Sequence, residues 1–243
     1  GFAANSGFTV GEEFLRSVDG KIAPIAKKGA PLDGIAQGLN AKGINVGDYL
    51  DPATEARLGY QAKNAKYKSD VNLGNDAVQT SPRAIDKAST ISGFFIDSAG
   101  ANHGFLQTKG GAVQVVDFDD SGTTVLEGSN DQRCTVGQYV GSDGGTHSFI
   151  YNGKTGRFSP IEIPGSTVYQ QAWSVNNSTL ITVSTDIGSF IYNPQKSLTG
   201  KKGCPTGGIN AHFERANAQS PLRGESRGPH APEVAHPVRG AMQ

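Results

Sequence analysis

The chain has 243 residues, 33 of them glycine, a hydrophobic share of 36%, and 22 Lys and Arg balanced by 22 Asp and Glu. That balance leaves no electrostatic footprint for nucleic acid or an acidic membrane surface, and no apolar run approaches the roughly 18 residues a membrane helix needs. Glycine well above its usual share of about 7%, with plentiful Asn and Ser, is turn chemistry used often, and at this length it points to one large all-β domain.

Taken in chain order, the elements recur. Residues 1–12 match the third and fourth strands of a unit seen later, with Gly7 falling where Gly43 does and Val10-Gly11 where Val46-Gly47 does. A short strand at or near an aromatic residue then returns at Phe14, Tyr60, Phe105, Phe149 and Phe190, in steps of 46, 45, 44 and 41. An Asn or Asp turn returns at Asn40, Asp86, Asn130 and Asn176, in steps of 46, 44 and 46. Seven residues after that turn stand Gly47, Gly93 and Gly137; in the last copy Val183 takes the place of the glycine.

The second half of the chain gives the unit most clearly. His147 to Tyr151 is a strand closed by Asn152-Gly153, Arg157 to Ile163 is the next, Ala172 to Val175 the third, and Leu180 to Val183 the fourth. Short apolar runs punctuated by Asn and Gly are strand and hairpin signals. Helical periodicity is nearly absent; only Ala26 to Leu39 and Ala53 to Lys68 read either way.

Four short antiparallel strands in about 45 residues is the size of a propeller blade. One such sheet cannot bury its apolar faces alone, whereas a radial array buries each face on a neighbour. The expected fold is therefore an all-β propeller of about five four-stranded blades over residues 1–203. Its copies run 13–57, 58–102, 103–146 and 147–187, and the last blade joins 188–203 to the N-terminal strands 1–12. From residue 204 the composition changes: five prolines, from Pro205 to Pro237, and no apolar periodicity predict a disordered tail over 204–243.

Gly38-Leu39-Asn40-Ala41-Lys42-Gly43-Ile44-Asn45-Val46-Gly47-Asp48-Tyr49, His103-Gly104-Phe105-Leu106, and His147-Ser148-Phe149-Ile150-Tyr151 with Ile163-Pro164-Gly165 carry a resemblance. The chain resembles the HAF family of extracellular bacterial repeats over about residues 1–195, departing at Asp70 to Thr80. The resemblance implies an extracellular location and supplies no catalytic residues. With Gly1 rather than Met in first place, the chain reads as a mature form or a fragment, so a missing leader does not argue for the cytoplasm.

Candidate chemistry is sparse. His103 and His147 occupy the same place in adjacent copies, which suits a turn-stabilising hydrogen-bonder better than a general base, a group normally unique in its site. Asp117, Asp119 and Ser121, followed by Gly122, resemble the start of a calcium loop. Oxygens at alternate positions suit a hard cation, yet the twelfth position is Gly128, with Glu127 one out of register. The stretch also aligns with an ordinary turn at Glu162 to Gly165. Gly141 to Gly145 reads as a connection between blades, without the Lys-Ser/Thr of a phosphate loop. Trp173 reads as core, since tryptophan is usually well buried. Cys134 reads as a small buried apolar residue or as half of a disulfide with Cys204, which an oxidising compartment would permit.

Two functions follow. The first is an extracellular, non-enzymatic binding or scaffold module for carbohydrate or a protein partner. The alternative is a polysaccharide-acting propeller enzyme using rim carboxylates such as Asp97, Asp117 and Asp143, which requires two of them in one cleft.

Overall fold

A computed structural model describes residues 2–4, 11–28, 30–74, 76–118, 123–194, 204–205 and 212–215. No helix occurs among them, and none is therefore long and apolar enough to cross a membrane. The two stretches that read either way, Ala26 to Leu39 and Ala53 to Lys68, run as strands joined by turns and short irregular pieces.

The chain forms five antiparallel units in sequence order. Strands β1 (Phe2–Ala4), β2 (Gly11–Arg16) and β3 (Ile22–Pro24) make the first sheet. The next contains β6 (Gly34–Leu39), β7 (Ile44–Leu50), β8 (Arg57–Lys63) and β9 (Lys66–Asp70), and it gains β4 (Ala26–Lys27) and β5 (Ala30–Pro31) along its outer edge. The third has β10 (Ala77–Ile85), β11 (Ile91–Asp97), β12 (Asn102–Gln107) and β13 (Val113–Val116). The fourth has β14 (Thr124–Ser129), β15 (Cys134–Val140), β16 (Thr146–Asn152) and β17 (Arg157–Ile161). The fifth has β18 (Gln170–Val175), β19 (Ile181–Thr185), β20 (Gly188–Asn193) and β21 (His212–Arg215). The four small sheets are arranged as propeller blades. The six-stranded sheet curls into a half-barrel, with β4 paired in parallel to β9.

The all-β propeller expected from the sequence is thus the fold, but the phase differs. Each sheet takes the last two strands of one sequence copy and the first two of the next, so the copies 13–57 to 147–187 cut every sheet in half. Gly141 to Gly145 accordingly turns a hairpin inside the fourth sheet rather than linking two. At the end of the chain β20 has β19 on one side and β21 on the other, while β1 and β2 lie against β6. The stretch after residue 204 is therefore not uniformly separate. Cys204 is bonded to Cys134, with Cα atoms 5.1 Å apart across 70 residues of sequence, and β21 covers the free edge of β20. An uncovered edge strand leaves a row of unpaired backbone groups, and the disulfide brings the chain to the place where they lie.

The core sits in the seams between sheets. Val116 of one sheet meets Leu126, Phe149 and Tyr151 of the next, and Val136, Ile150 and Ile161 meet Ala172, Ile181 and Tyr192. Three glycines let these sheets close up. Gly47, Gly93 and Gly137 pair directly with Tyr60, Phe105 and Phe149. A Cβ on any of them would stand 3.0 Å from the facing ring and 2.0 to 2.2 Å from a carbonyl oxygen of the first strand. The three rings are fully buried. In the fifth sheet Val183 pairs with Phe190, whose ring is only half-buried.

The turns after the first strands tie the sheets together at one end. Asn40 Oδ1 accepts from the Lys42 and Ile44 amides at 3.0 and 3.1 Å, and Asn130 and Asn176 do the same for residues two and four further on. The amide of Asn40 then donates to the Asp86 carbonyl at 3.1 Å, and that of Asn130 to the Asn176 carbonyl at 2.9 Å. Asp86 keeps the local bond, to the Thr90 amide, but has no amide to pass on. A second tie is made one residue along: the Lys87 N–H reaches Asp131 Oδ1 at 2.9 Å, as the Asp131 N–H reaches Asn177 Oδ1 at 3.0 Å in the next turn.

A buried acid joins the first sheet to the second. Glu13 on β2 is fully buried and accepts from the Tyr60 hydroxyl, which in turn accepts from Asn45 Nδ2 at 3.1 Å. Its other oxygen has no hydrogen-bond partner and faces Gly34, where a Cβ would lie 2.3 Å away. Burial pushes the Glu13 carboxyl up to about 7, against the pull of the Tyr60 hydrogen bond.

Two outcomes follow from these contacts. Asp86→Asn supplies the missing amide opposite the Asn130 carbonyl and is expected to raise stability by about 0.5–1.5 kcal/mol in denaturant unfolding; unchanged or lower stability would mean that the carbonyl lies out of its reach. For Glu13 the folded protein holds a proton that the unfolded chain releases near 4.5. Its contribution is complete below that value and disappears as pH rises through about 7, a loss on the order of 3 kcal/mol. Melting curves from pH 5 to 8 should therefore fall more steeply for the native protein than for Glu13→Gln, and parallel curves would refute the assignment.

Candidate functional site: the axial channel

The first strands β6, β10, β14 and β18 each carry an extra residue at an equivalent place, and β10 carries a further one at Val78. Gln37 is inserted between the pairs Ala36–Gly47 and Gly38–Val46, Arg83 between Pro82–Gly93 and Ala84–Ser92, Glu127 between Leu126–Gly137 and Gly128–Val136, and Trp173 between Ala172–Val183 and Ser174–Thr182. Such a bulge turns the side chain away from the alternation of its strand. Here all four line one cavity of about 300 Å³ where the four strands meet. After each bulge comes a small residue. A Cβ on Gly38 would meet the Ala84 backbone at 2.9 Å, and one on Gly128 would meet that of Ser174 at 2.8 Å. The small residues let the first strands touch, and the bulges supply the long side chains that face the space left over. The channel continues into a second cavity of about 370 Å³ at the Asn40, Asp86, Asn130 and Asn176 turns.

The four side chains form a varied set. Trp173 is 46% exposed, so it is not the core residue its type suggested. Glu127 is buried and accepts from Gln171 Nε2 at 3.2 Å; burial raises its pKa, with Arg83 and Gln171 pulling the other way. Arg83 Nε lies 3.5 Å from Glu127 Oε2, an ion-pair distance too long for a good hydrogen bond, and its guanidinium sits over the Phe94 ring at 5.1 Å. An exposed indole, an amide and a charged pair in one cavity offer a stacking surface beside hydrogen-bond donors and acceptors.

The histidines lie elsewhere, with Asp97 and Asp143, where second and third strands join, and Asp117 follows β13. His103 stands between two acids, Nδ1 at 2.9 Å from Asp117 Oδ2 and Nε2 at 3.4 Å from Asp97 Oδ2, and it stacks on Phe95. The Asp117 hydrogen bond holds its pKa above the ordinary value. His147 repeats the arrangement with Asp143 at 2.9 Å, stacked on Tyr139. Asp97 is held below the usual carboxylate range, first by the Ala101 amide and then by His103; Asp143 is held low by His147. The structure thus brings Asp97 and Asp117 together around an imidazole, which fills the gap a glycosidic oxygen would need. Asp143 belongs to the neighbouring sheet.

For the calcium loop, Asp119 and Ser121 lie outside the described residues, and Asp117 gives one oxygen to His103. No group of three His, Cys, Asp or Glu placed to hold a metal occurs among the described residues.

The channel residues carry a signal that reading the strands for alternation passes over. Gln37, Arg83, Glu127 and Trp173 each stand three positions before the Asn or Asp turn and directly before a small residue. No family model matches the chain, and no curated protein matches it.

Proposed function

We propose that this chain is an extracellular, non-enzymatic binding module of the HAF-repeat kind, and that it takes a carbohydrate at the axial channel. The observation that carries this reading is Trp173, a large aromatic side chain left 46% exposed by a bulge and set among Gln37, Arg83 and Glu127. The positions equivalent to these four in the turns and seams are nearly uniform, whereas these four differ in every sheet, as expected of contact residues rather than framework. The Cys134–Cys204 disulfide supports an oxidising compartment. The enzyme alternative loses support because Asp97 and Asp143 are the partners of histidines and are held as carboxylates, the opposite of a general acid.

A glycan array probed with the full chain, with calcium and with chelator, tests the reading. Binding is expected, and Trp173→Ala is expected to weaken it by about tenfold or more, equivalent to about 1.4 kcal/mol, with an unchanged circular dichroism spectrum. Loss of binding in chelator would assign a role to the Asp117 loop. Silence of the native protein, or full binding by Trp173→Ala, would overturn the carbohydrate site.

A further inference from the structure

We infer that the channel ligand carries a carboxylate and is a uronic-acid-containing saccharide, recognised by Arg83; this rests on the carbohydrate reading above. Arg83 and Gln37 border two spaces at once. One is the axial channel with Trp173, and the other is a cavity of about 210 Å³ in the seam between the sheet of β6 to β9 and that of β10 to β13. That second cavity presents another guanidinium, Arg57, against an apolar wall that includes Ile35 and Ile96.

The two positive groups are not equally occupied. Arg57 Nη1 lies 2.8 Å from Asp48 Oδ1, and the second oxygen of Asp48 accepts from Ser81 Oγ at 2.8 Å, so that acid is fully engaged. Arg83 Nε is buried with no hydrogen-bond partner, because the nearest carboxylate oxygen, on Glu127, stops at 3.5 Å. A buried donor left unpaired costs more than an ordinary hydrogen bond returns, and a guanidinium edge is shaped for two oxygens of one carboxylate. Glu127 does not fill that role: its Oε1 is taken by Gln171, and burial works against its charge.

A ligand that answers all these groups has an acidic oxygen pair for Arg83, a flat apolar ring face for Trp173 and hydroxyls for Gln37. A uronic acid residue in a sugar chain has all three. An acidic peptide offers the carboxylate but no ring face with hydroxyls around it.

The test is isothermal titration of the full chain with oligomers of galacturonate, glucuronate and mannuronate, each paired with its carboxyl-reduced counterpart, and with tetraglutamate. At least one oligouronate is expected to bind tenfold or more tightly than its reduced form. That preference should fall with added salt, shrink in Arg83→Lys, which keeps the charge without the fork, and vanish in Arg83→Gln, while Trp173→Ala weakens both forms alike. Melting curves establish that each variant is folded. Equal affinity for acidic and reduced forms, or a preference that survives in Arg83→Gln, would overturn the carboxylate inference and leave the carbohydrate site standing. Tetraglutamate binding as tightly as the oligouronates would overturn the saccharide class. Binding of none of these probes would remove both readings.

Discussion

The arrangement depends on what the Asn and Asp side chains do at the end of each first strand. A hairpin turn leaves backbone amides without strand partners, and a side-chain oxygen at Asn40, Asp86, Asn130 or Asn176 takes up the amides that follow. Asparagine does more, because its second group is a donor free to reach the next sheet. The same residue therefore closes its own turn and clamps its neighbour. Where aspartate stands instead, that clamp is missing and the tie one residue along, from the Lys87 amide to Asp131, is kept. The sheets that contain β6, β10, β14 and β18, the six-stranded one among them, are thereby tied to one another at the turns.

Beside these turns the first strands come within touching distance, and only small residues fit there. Gly38 against Ala84 and Gly128 against Ser174 are backbone-to-backbone contacts. A strand running straight through such a crowded place would have to point alternate side chains into it. The bulges avoid this by inserting a residue just before the contact, turning Gln37, Arg83, Glu127 and Trp173 into what open space remains. The constraint that packs the axis is thus the same one that assembles the candidate site. The outer parts of the sheets meet a separate demand, solved by glycines under aromatic rings, and the loss of that glycine at Val183 coincides with the one half-buried ring, Phe190.

Much of this is visible in the residues and some of it is not, for identifiable reasons. The period could be read because Asn40, Gly47, Tyr60 and their counterparts are each required by a contact repeated in every sheet. The phase could not, since a period is unchanged when its starting point moves, and only hydrogen bonding decides that β20 pairs with β21 rather than with the N-terminal strands. Strand β21 itself has no apolar alternation to reveal it; its place is set by the edge of β20 and by the bond from Cys204 to Cys134. Trp173 reads as core because tryptophan is usually well buried; nothing in the strand's composition announces the bulge that turns it into the channel. The acid at His103 Nδ1 is hidden differently: Asp117 is fourteen residues away and belongs to the loop after β13.

The contrast between the two ends of β6, β10, β14 and β18 bears on where function resides. Only two residues separate each turn residue from its bulge, so both belong to the same short stretch. At the turn the four positions keep one requirement, a side-chain oxygen for the amides that follow, because a residue without it leaves those amides unpaired. At the bulge they hold an amide, a guanidinium, a carboxylate and an indole, and nothing in the backbone demands any of them, since each projects into the channel. A framework that tolerates any side chain at a position, and surrounds that position with its most demanding contacts, is a scaffold for recognition. The cost is visible in Arg83, a buried guanidinium nitrogen that the protein alone does not satisfy. A structure built only for stability would have placed an apolar residue there.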